Sequence, residues 1–219
     1  MKSRARQLNA LFDHLLHLKS LQRTGWLDRG VPPLEGESVA DHTTLTALIA
    51  WLVALDDPDL DAGKVLQLAL VHDLAESIAG DPTPYDRDEI PPASDPDAVR
   101  AFFSVRHPRS PESRARKEAS EAEATQRLTS LMPDIAAASV TKLTAEYETG
   151  QTPEARFVKQ VDLLEAFLQS RHYADRFPEL PFEGFRLQAE QEITHPVLAA
   201  IRDDRLQGSS DSEGEPEGS

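Results

Sequence analysis

The sequence predicts an all-α fold, and three observations lead there. Apolar residues recur three and four apart through several long segments. Helix-start and helix-stop residues bracket those segments, and no stretch alternates in the manner of a half-buried strand. A chain of 219 residues can bury a sizeable core, so one domain over 1–207 is expected. Residues 208–219 hold no hydrophobic side chain and read as a disordered acidic tail.

Taken in order, residues 5–20 place Leu8, Leu11, Phe12, Leu15, Leu16 and Leu18 at helical spacing. His14 and His17 among them have no acidic neighbour at ligand spacing and read as surface or packing residues. Residues 21–33 carry Gly25, Gly30, Pro32 and Pro33 and read as a loop. Within it, Arg23 offers a planar fork of donors to a phosphate, and Trp26 offers a packing surface. Ser38 followed three residues on by Asp41 marks a helix start, and Leu45, Leu48, Ile49, Leu52 and Val53 are expected to form its buried face. His42 lies in the first turn, on the edge of that stripe.

The acidic connection 56–61 leads into an apolar run, 65–71, read as a buried helix that continues to Gly80. Asp73 and Glu76 are three apart and His72 and Glu76 four apart, so the three groups share one side of that helix. Asp81 follows at the mouth of whatever the helix lines. Pro82 and Pro84 flank Thr83 in a rigid turn suited to wall a pocket. In the polar stretch that follows, Phe102 and Phe103 are expected to pack it onto the body, with His107 at the surface. Residues 111–131 form a long amphipathic helix whose Glu118, Glu121 and Glu123 read as exposed. Another helix runs from the Pro133 break to near Gly150. Pro153 opens the next, with Ala155, Phe157, Val158, Val161, Leu164 and Leu168 on its apolar face. Asp162 stands inside that stripe and needs a partner. Arg171, His172 and Tyr173 are expected to lead it to solvent, a loop follows at 178–184, and a short helix begins near 194–196.

Composition narrows the chemistry. Lys and Arg total 23 against 38 Asp and Glu, a formal charge of −15, which argues against a nucleic-acid polymer or an anionic membrane surface as partner. The absence of cysteine removes disulfides, thiolate metal sites and thiol nucleophiles. No apolar run approaches the roughly 18 residues of a membrane span, and the basic N-terminus leads into an amphipathic helix rather than a signal peptide. The expected location is cytoplasmic.

A lone His-Asp pair reads most simply as a packed histidine beside solvated acids. Here His42, the His72-Asp73 pair and Asp162 come from three helices with apolar backgrounds. Two imidazoles and two carboxylates suit one divalent first-row ion or magnesium, and leave positions for water and a phosphate oxygen. Glu76 is placed to orient or deprotonate the water, or to protonate the leaving oxygen. Arg23 can neutralise remaining phosphate charge.

This order of ligands resembles the HD-domain metal-dependent phosphohydrolases. The stretches Arg23-Thr24-Gly25-Trp26, Glu37 to His42, Leu68 to Glu76 with Gly80-Asp81, Glu146-Tyr147-Glu148 and Phe157 to Asp162 resemble the branch containing HD domain-containing protein 2 and the bacterial 5′-deoxynucleotidases. The resemblance covers roughly residues 8–200. It implies a helical bundle, often a homodimer, that hydrolyses nucleoside 5′-monophosphates to nucleoside and phosphate. By position it implies His42, His72, Asp73 and Asp162 as ligands of one Mn²⁺, Co²⁺ or Mg²⁺. Glu76 becomes the catalytic acid or base, Arg23 the 5′-phosphate ligand, Asp81 a neighbour of the 3′-hydroxyl, and Trp26 a filler of space at the 2′ position. Exposed apolar positions on the first or last helices are the candidate dimer face. The stretch 86–110 is longer than the branch leads one to expect, which leaves open a modified nucleotide of the kind made in nucleoside natural-product biosynthesis. A pyrophosphohydrolase or phosphodiesterase on the same scaffold, or a non-catalytic nucleotide-binding protein, are the alternatives.

Overall fold

A computed structural model describes the backbone of residues 2–211 and the side chains of residues 4–207. Helices follow one another along the chain: α1 (Lys2–His17), α2 (Thr24–Asp28), α3 (Val39–Ala54), α4 (Ala62–Val71), α5 (Glu76–Ala79), a 3₁₀ turn (Arg87–Glu89), α6 (Pro96–Phe103), α7 (Pro111–Ser130), α8 (Asp134–Thr149), α9 (Pro153–Arg176), α10 (Glu183–Glu192) and α11 (Pro196–Asp211). Among the described residues the β structure is confined to an isolated antiparallel bridge, Gln22 to Ser38. The last helix takes in the first four residues of the segment expected to lack structure, and 212–219 lie outside the described residues. No helix among the described residues is long and apolar enough to cross a membrane.

The bundle is organised on α9, which packs against α3, α4, α8, α10 and α11. Thr152 caps its start by accepting from the Ala155 amide, and Pro153 occupies the first turn, where its missing N–H costs nothing. Ala155, Phe157, Val158, Val161, Leu164 and Phe167 are buried along its length, joined in one core with Val65 and Leu68 of α4. From Val158 to Phe167 no residue of this helix is exposed, so a charge placed there needs a partner.

Five expectations are corrected. The helix read through 65–79 stops at Val71; residues 72–75 form a turn, and Glu76 opens the separate α5. Leu70, read as part of a buried run, is half exposed. The loop 21–33 contains α2, too short for a hydrophobic period to reveal. Of the face expected to be buried on α3, Ile49 and Val53 pack against the core, but Leu45, Leu48 and Leu52 are exposed, and the buried positions beside them are the small residues Thr46, Ala47, Ala50 and Ala54. Small residues let α3 lie close against α4 and α9, which a row of leucines would prevent. Tyr173, expected near solvent, is 1% exposed; its hydroxyl donates to Glu35 O (2.9 Å) and accepts from Glu37 N (2.8 Å).

Residues 86–110 are ordered by α6. Phe102 and Phe103 pack edge-on against Tyr85, as the sequence led us to expect. A Cβ on Gly184, at the start of α10, would collide with the Phe103 carbonyl oxygen, so the close approach of α10 to α6 requires glycine there.

Candidate active site and metal centre

The capping box at the start of α3, in which Ser38 and Asp41 each accept from the other's backbone N–H, fixes the turn that carries His42. His72 is the first residue beyond α4, and Asp73 follows in the turn to α5. Asp162 comes from the middle of α9. The four meet. His42 Nε2 lies 3.3 Å from His72 Nε2, 3.0 Å from Asp162 Oδ1 and 3.7 Å from Asp73 Oδ2. His72 Nε2 lies 3.2 Å from Asp73 Oδ2. His42, His72 and Asp162 each offer a ligand atom within 4.8 Å of the others, so this group could hold a metal ion, with Asp73 bordering it.

The other ring nitrogens are already engaged. His72 Nδ1 is 2.7 Å from the Ala69 carbonyl oxygen, and His42 Nδ1 is 2.5 Å from Glu165 Oε2. An Nδ1–H donated in each case turns both Nε2 atoms toward each other and toward two carboxylates. Two inward nitrogens and two carboxylates, with protons disposed on the far side, form a donor set that fits a divalent cation. The electrostatics agree. Burial and Arg23 oppose a charge on His42, yet Asp162 and Glu165 outweigh them and raise its pKa to about 10. Burial likewise opposes a charge on His72, and Asp73 and Asp162 overcome it to raise its pKa. Asp73, despite burial, is held well below the usual carboxylate range by His72, Arg23 and His42. The pocket thus favours positive charge at its centre.

Arg23 stands at the rim. Its amide donates to Glu37 O (3.0 Å), beside the Gln22–Ser38 bridge, and this places the guanidinium 3.2 Å from Asp73 Oδ2 and 3.7 Å from Asp81 Oδ1. These carboxylates keep it charged in spite of its burial. The Asp81 side chain accepts from the Thr24 amide, and Thr24 Oγ1 donates to Asp81 O at 2.8 Å, tying α2 to the turn after α5. Gly80, with φ +82°, makes that turn. Glu76 is buried, and its Oε2 has no hydrogen-bond partner among the described residues. Burial, then the charges of Asp73 and Asp81, push its pKa well above the usual range. Trp26 is 2% exposed; its ring stacks on Phe185, and Nε1 donates to Glu37 Oε1 at 2.6 Å.

A cavity of about 500 Å³ opens beside this cluster. Arg23, Trp26, Asp81 and Asp162 line it, and so does the Pro82-Thr83-Pro84 turn. Its far wall is α6 and α10, with Phe102, Phe103 and His107 opposite Phe185, Gln188 and Gln191. His107 is therefore not simply a surface residue: it stacks on Phe102 at 3.9 Å between centroids and faces the cavity. Glu121, read as exposed, is part-buried, and burial raises its pKa.

Three site residues were given no role from the sequence, although Glu37 and Tyr147 stand in stretches that carry the family resemblance. Tyr147 donates to Asp162 Oδ2 (3.2 Å) and packs beside the His72 ring. Glu165 sits behind His42, and Glu37 joins Trp26 to that same corner. The available signal for Glu165 was a second acid one turn after Asp162 on a buried stripe.

A family model of the HD domain matches residues 15–202. The chain belongs to the HD domain family. Among HD-domain proteins it is 33% identical to the 5′-deoxynucleotidase hdd1 of Schizosaccharomyces pombe, over 89% of this chain and 86% of that one. It is 34% identical to the 5′-deoxynucleotidase HDDC2 of Homo sapiens, over 84% of this chain and 77% of that one. A solved structure of a conserved hypothetical protein from Pyrococcus furiosus matches with a TM-score of 0.60 and 26% identity, over 90% of this chain and 98% of that one. The fold is shared too with a predicted metal-dependent phosphohydrolase from Magnetospirillum magnetotacticum MS-1, with a TM-score of 0.59 and 23% identity over 95% and 94% of the two chains.

Proposed function

We propose that this HD-domain chain, through residues 1–207, hydrolyses (deoxy)nucleoside 5′-monophosphates to nucleoside and phosphate with one bound divalent ion. The observation that carries the reading is the meeting of His42, His72 and Asp162 at the edge of a 500 Å³ cavity that also presents Arg23 and Asp81. The relatives named 5′-deoxynucleotidase support the reaction class.

In this reading His42, His72, Asp73 and Asp162 hold the ion, one of Mn²⁺, Co²⁺ or Mg²⁺. When bound, it polarises the phosphoryl group and lowers the pKa of water. Arg23 exchanges part of its contact with Asp73 and Asp81 for the phosphate oxygens. Glu76, whose environment favours the protonated acid, delivers its proton to the departing 5′ oxygen as the P–O bond breaks and water adds to phosphorus. Asp81 lies where a sugar hydroxyl can donate to it, and Trp26 shapes the cavity at the 2′ position. The wall contributed by α6 gives the 86–110 stretch a role in choosing the base, natural or modified. Exposed apolar residues on the first helix, Phe12 and Leu16, and the stripe Leu45, Leu48 and Leu52 on α3 are the candidate homodimer faces; light scattering of the purified chain tests it.

The deciding experiment is phosphate release from 5′-mono-, di- and triphosphates, ribo and deoxy, with each of the three ions. Release from monophosphates alone, lost in His72→Ala and Asp73→Ala, is expected. Pyrophosphate as product moves the chain to another reaction of the scaffold. Stoichiometric binding without release makes it a nucleotide-binding protein.

A further inference from the structure

Behind His42, on the side away from the other ligands, stands a carboxylate with no place in the reaction just described. Glu165 lies on α9 one turn beyond Asp162 and is wholly excluded from solvent. Its Oε2 is 2.5 Å from His42 Nδ1, while its Oε1 has no hydrogen-bond partner among the described residues. Packing does not account for it. A leucine or methionine would fill the same space in this apolar core without the cost of enclosing a charge.

Glu37 approaches the same corner from the loop before α3. One oxygen of Glu37, one of Glu165 and a ring nitrogen of His42 lie within 4.8 Å of one another. Glu37 is itself held at two points: Oε1 accepts from Trp26 Nε1, and its amide donates to the Tyr173 hydroxyl. Trp26 lines the cavity. A continuous set of side chains therefore runs from the cavity wall to the back of the metal centre.

We propose that Glu165 is a positioning residue that acts on the metal through His42, with Glu37 as its support. By accepting from Nδ1–H, Glu165 fixes the tautomer that presents the Nε2 lone pair to the ion. Its negative charge makes that nitrogen the stronger donor. Glu37, held by Trp26 on the other side of Glu165, presents a like charge that repels the Glu165 carboxylate toward His42. The inference rests on His42 being a ligand.

The test is Mn²⁺ binding by calorimetry on the full chain without nucleotide, together with the d–d absorption of the Co²⁺ form. Wild type, His42→Ala and Glu165→Gln are compared, with thermal melting followed by circular dichroism. Gln keeps an acceptor for Nδ1–H but removes the charge. Mn²⁺ affinity is expected to fall about 10- to 100-fold, with an altered Co²⁺ spectrum and a melt close to wild type. Wild-type affinity and spectrum in Glu165→Gln, beside lost binding in His42→Ala, overturn this inference alone. Equal binding by wild type and His42→Ala overturns the ligand reading and this inference with it. Should Glu165→Gln fail to fold, Glu37→Gln carries the test. Its amide N–H, donated to Glu165, competes with His42 for that carboxylate and weakens Mn²⁺ binding several-fold; unchanged affinity overturns the inference.

Discussion

His42 and His72 turn their Nε2 atoms toward each other across 3.3 Å, from the first turn of α3 and the residue just beyond α4. Two imidazoles this close are held apart from nothing but what lies between and beside them: Asp162, Asp73 and, in the proposed enzyme, a cation. The raised pKa values of both rings show that the surrounding carboxylates favour positive charge there.

Metal binding is accordingly expected to release protons. In the metal-free protein His42 has a pKa of about 10, above its ordinary 6.5, so its proton adds stability that is complete below about 6.5 and is lost as pH rises through 10. A cation must displace that proton. Apparent Mn²⁺ affinity should rise about tenfold per pH unit for each proton displaced across that window. Calorimetry in buffers of different ionisation enthalpy measures both quantities, and an affinity flat with pH would contradict the assignment.

Glu76→Gln separates binding from turnover. Glu76 contacts none of the paired ligand atoms described above, so the variant should bind Mn²⁺ as wild type does. It cannot release a proton to the leaving oxygen, and kcat should fall about 10²- to 10⁴-fold. Full turnover in this variant would remove Glu76 from the mechanism.

Tyr173→Phe tests how the cavity wall is held. The hydroxyl bridges Glu35 O and Glu37 N, and its removal leaves the Glu37 amide without its acceptor. A loss of about 1–3 kcal/mol is expected in urea unfolding. A loss near zero would mean that water replaces the bridge.

Lys64→Met tests the tie between α4 and its neighbours. The Lys64 ammonium lies 2.6 Å from Glu146 Oε1 and 3.1 Å from Glu154 Oε2, on α8 and α9. The pair is partly solvated, so the cost should be about 0.5–1 kcal/mol at neutral pH. Lys64 lowers the Glu146 pKa below its usual 4.5. Its contribution is therefore present above that value and is lost as pH falls through the depressed one. Wild type and variant should converge in acid, which urea curves at pH 7 and pH 3 would show.

Much of the candidate site could be read before the fold was known. His42, His72, Asp73 and Asp162 stand as polar residues within apolar helical patterns, and the burial of such groups implies partners. Arg23, Asp81 and the Pro82-Thr83-Pro84 turn were legible through the chemistry of their types. The break after Val71 was not, because periodicity continues through a turn of helical dihedrals. Nor was the outward face of α3, because hydrophobicity alone cannot tell whether a helix is packed through its large residues or its small ones.

The sequence by itself determined the all-α class, the helix starts at Ser38 and Pro153, the helix end near Gly150, and the donor types that make a metal centre, since these depend on local propensity and the cost of burying charge. Only the tertiary structure decided that Glu165 backs His42, that Tyr147 and Tyr173 hold Asp162 and Glu37, and that α6 closes the cavity. Those relationships join residues far apart in the chain, and their energies arise from contacts that exist only once the helices have packed.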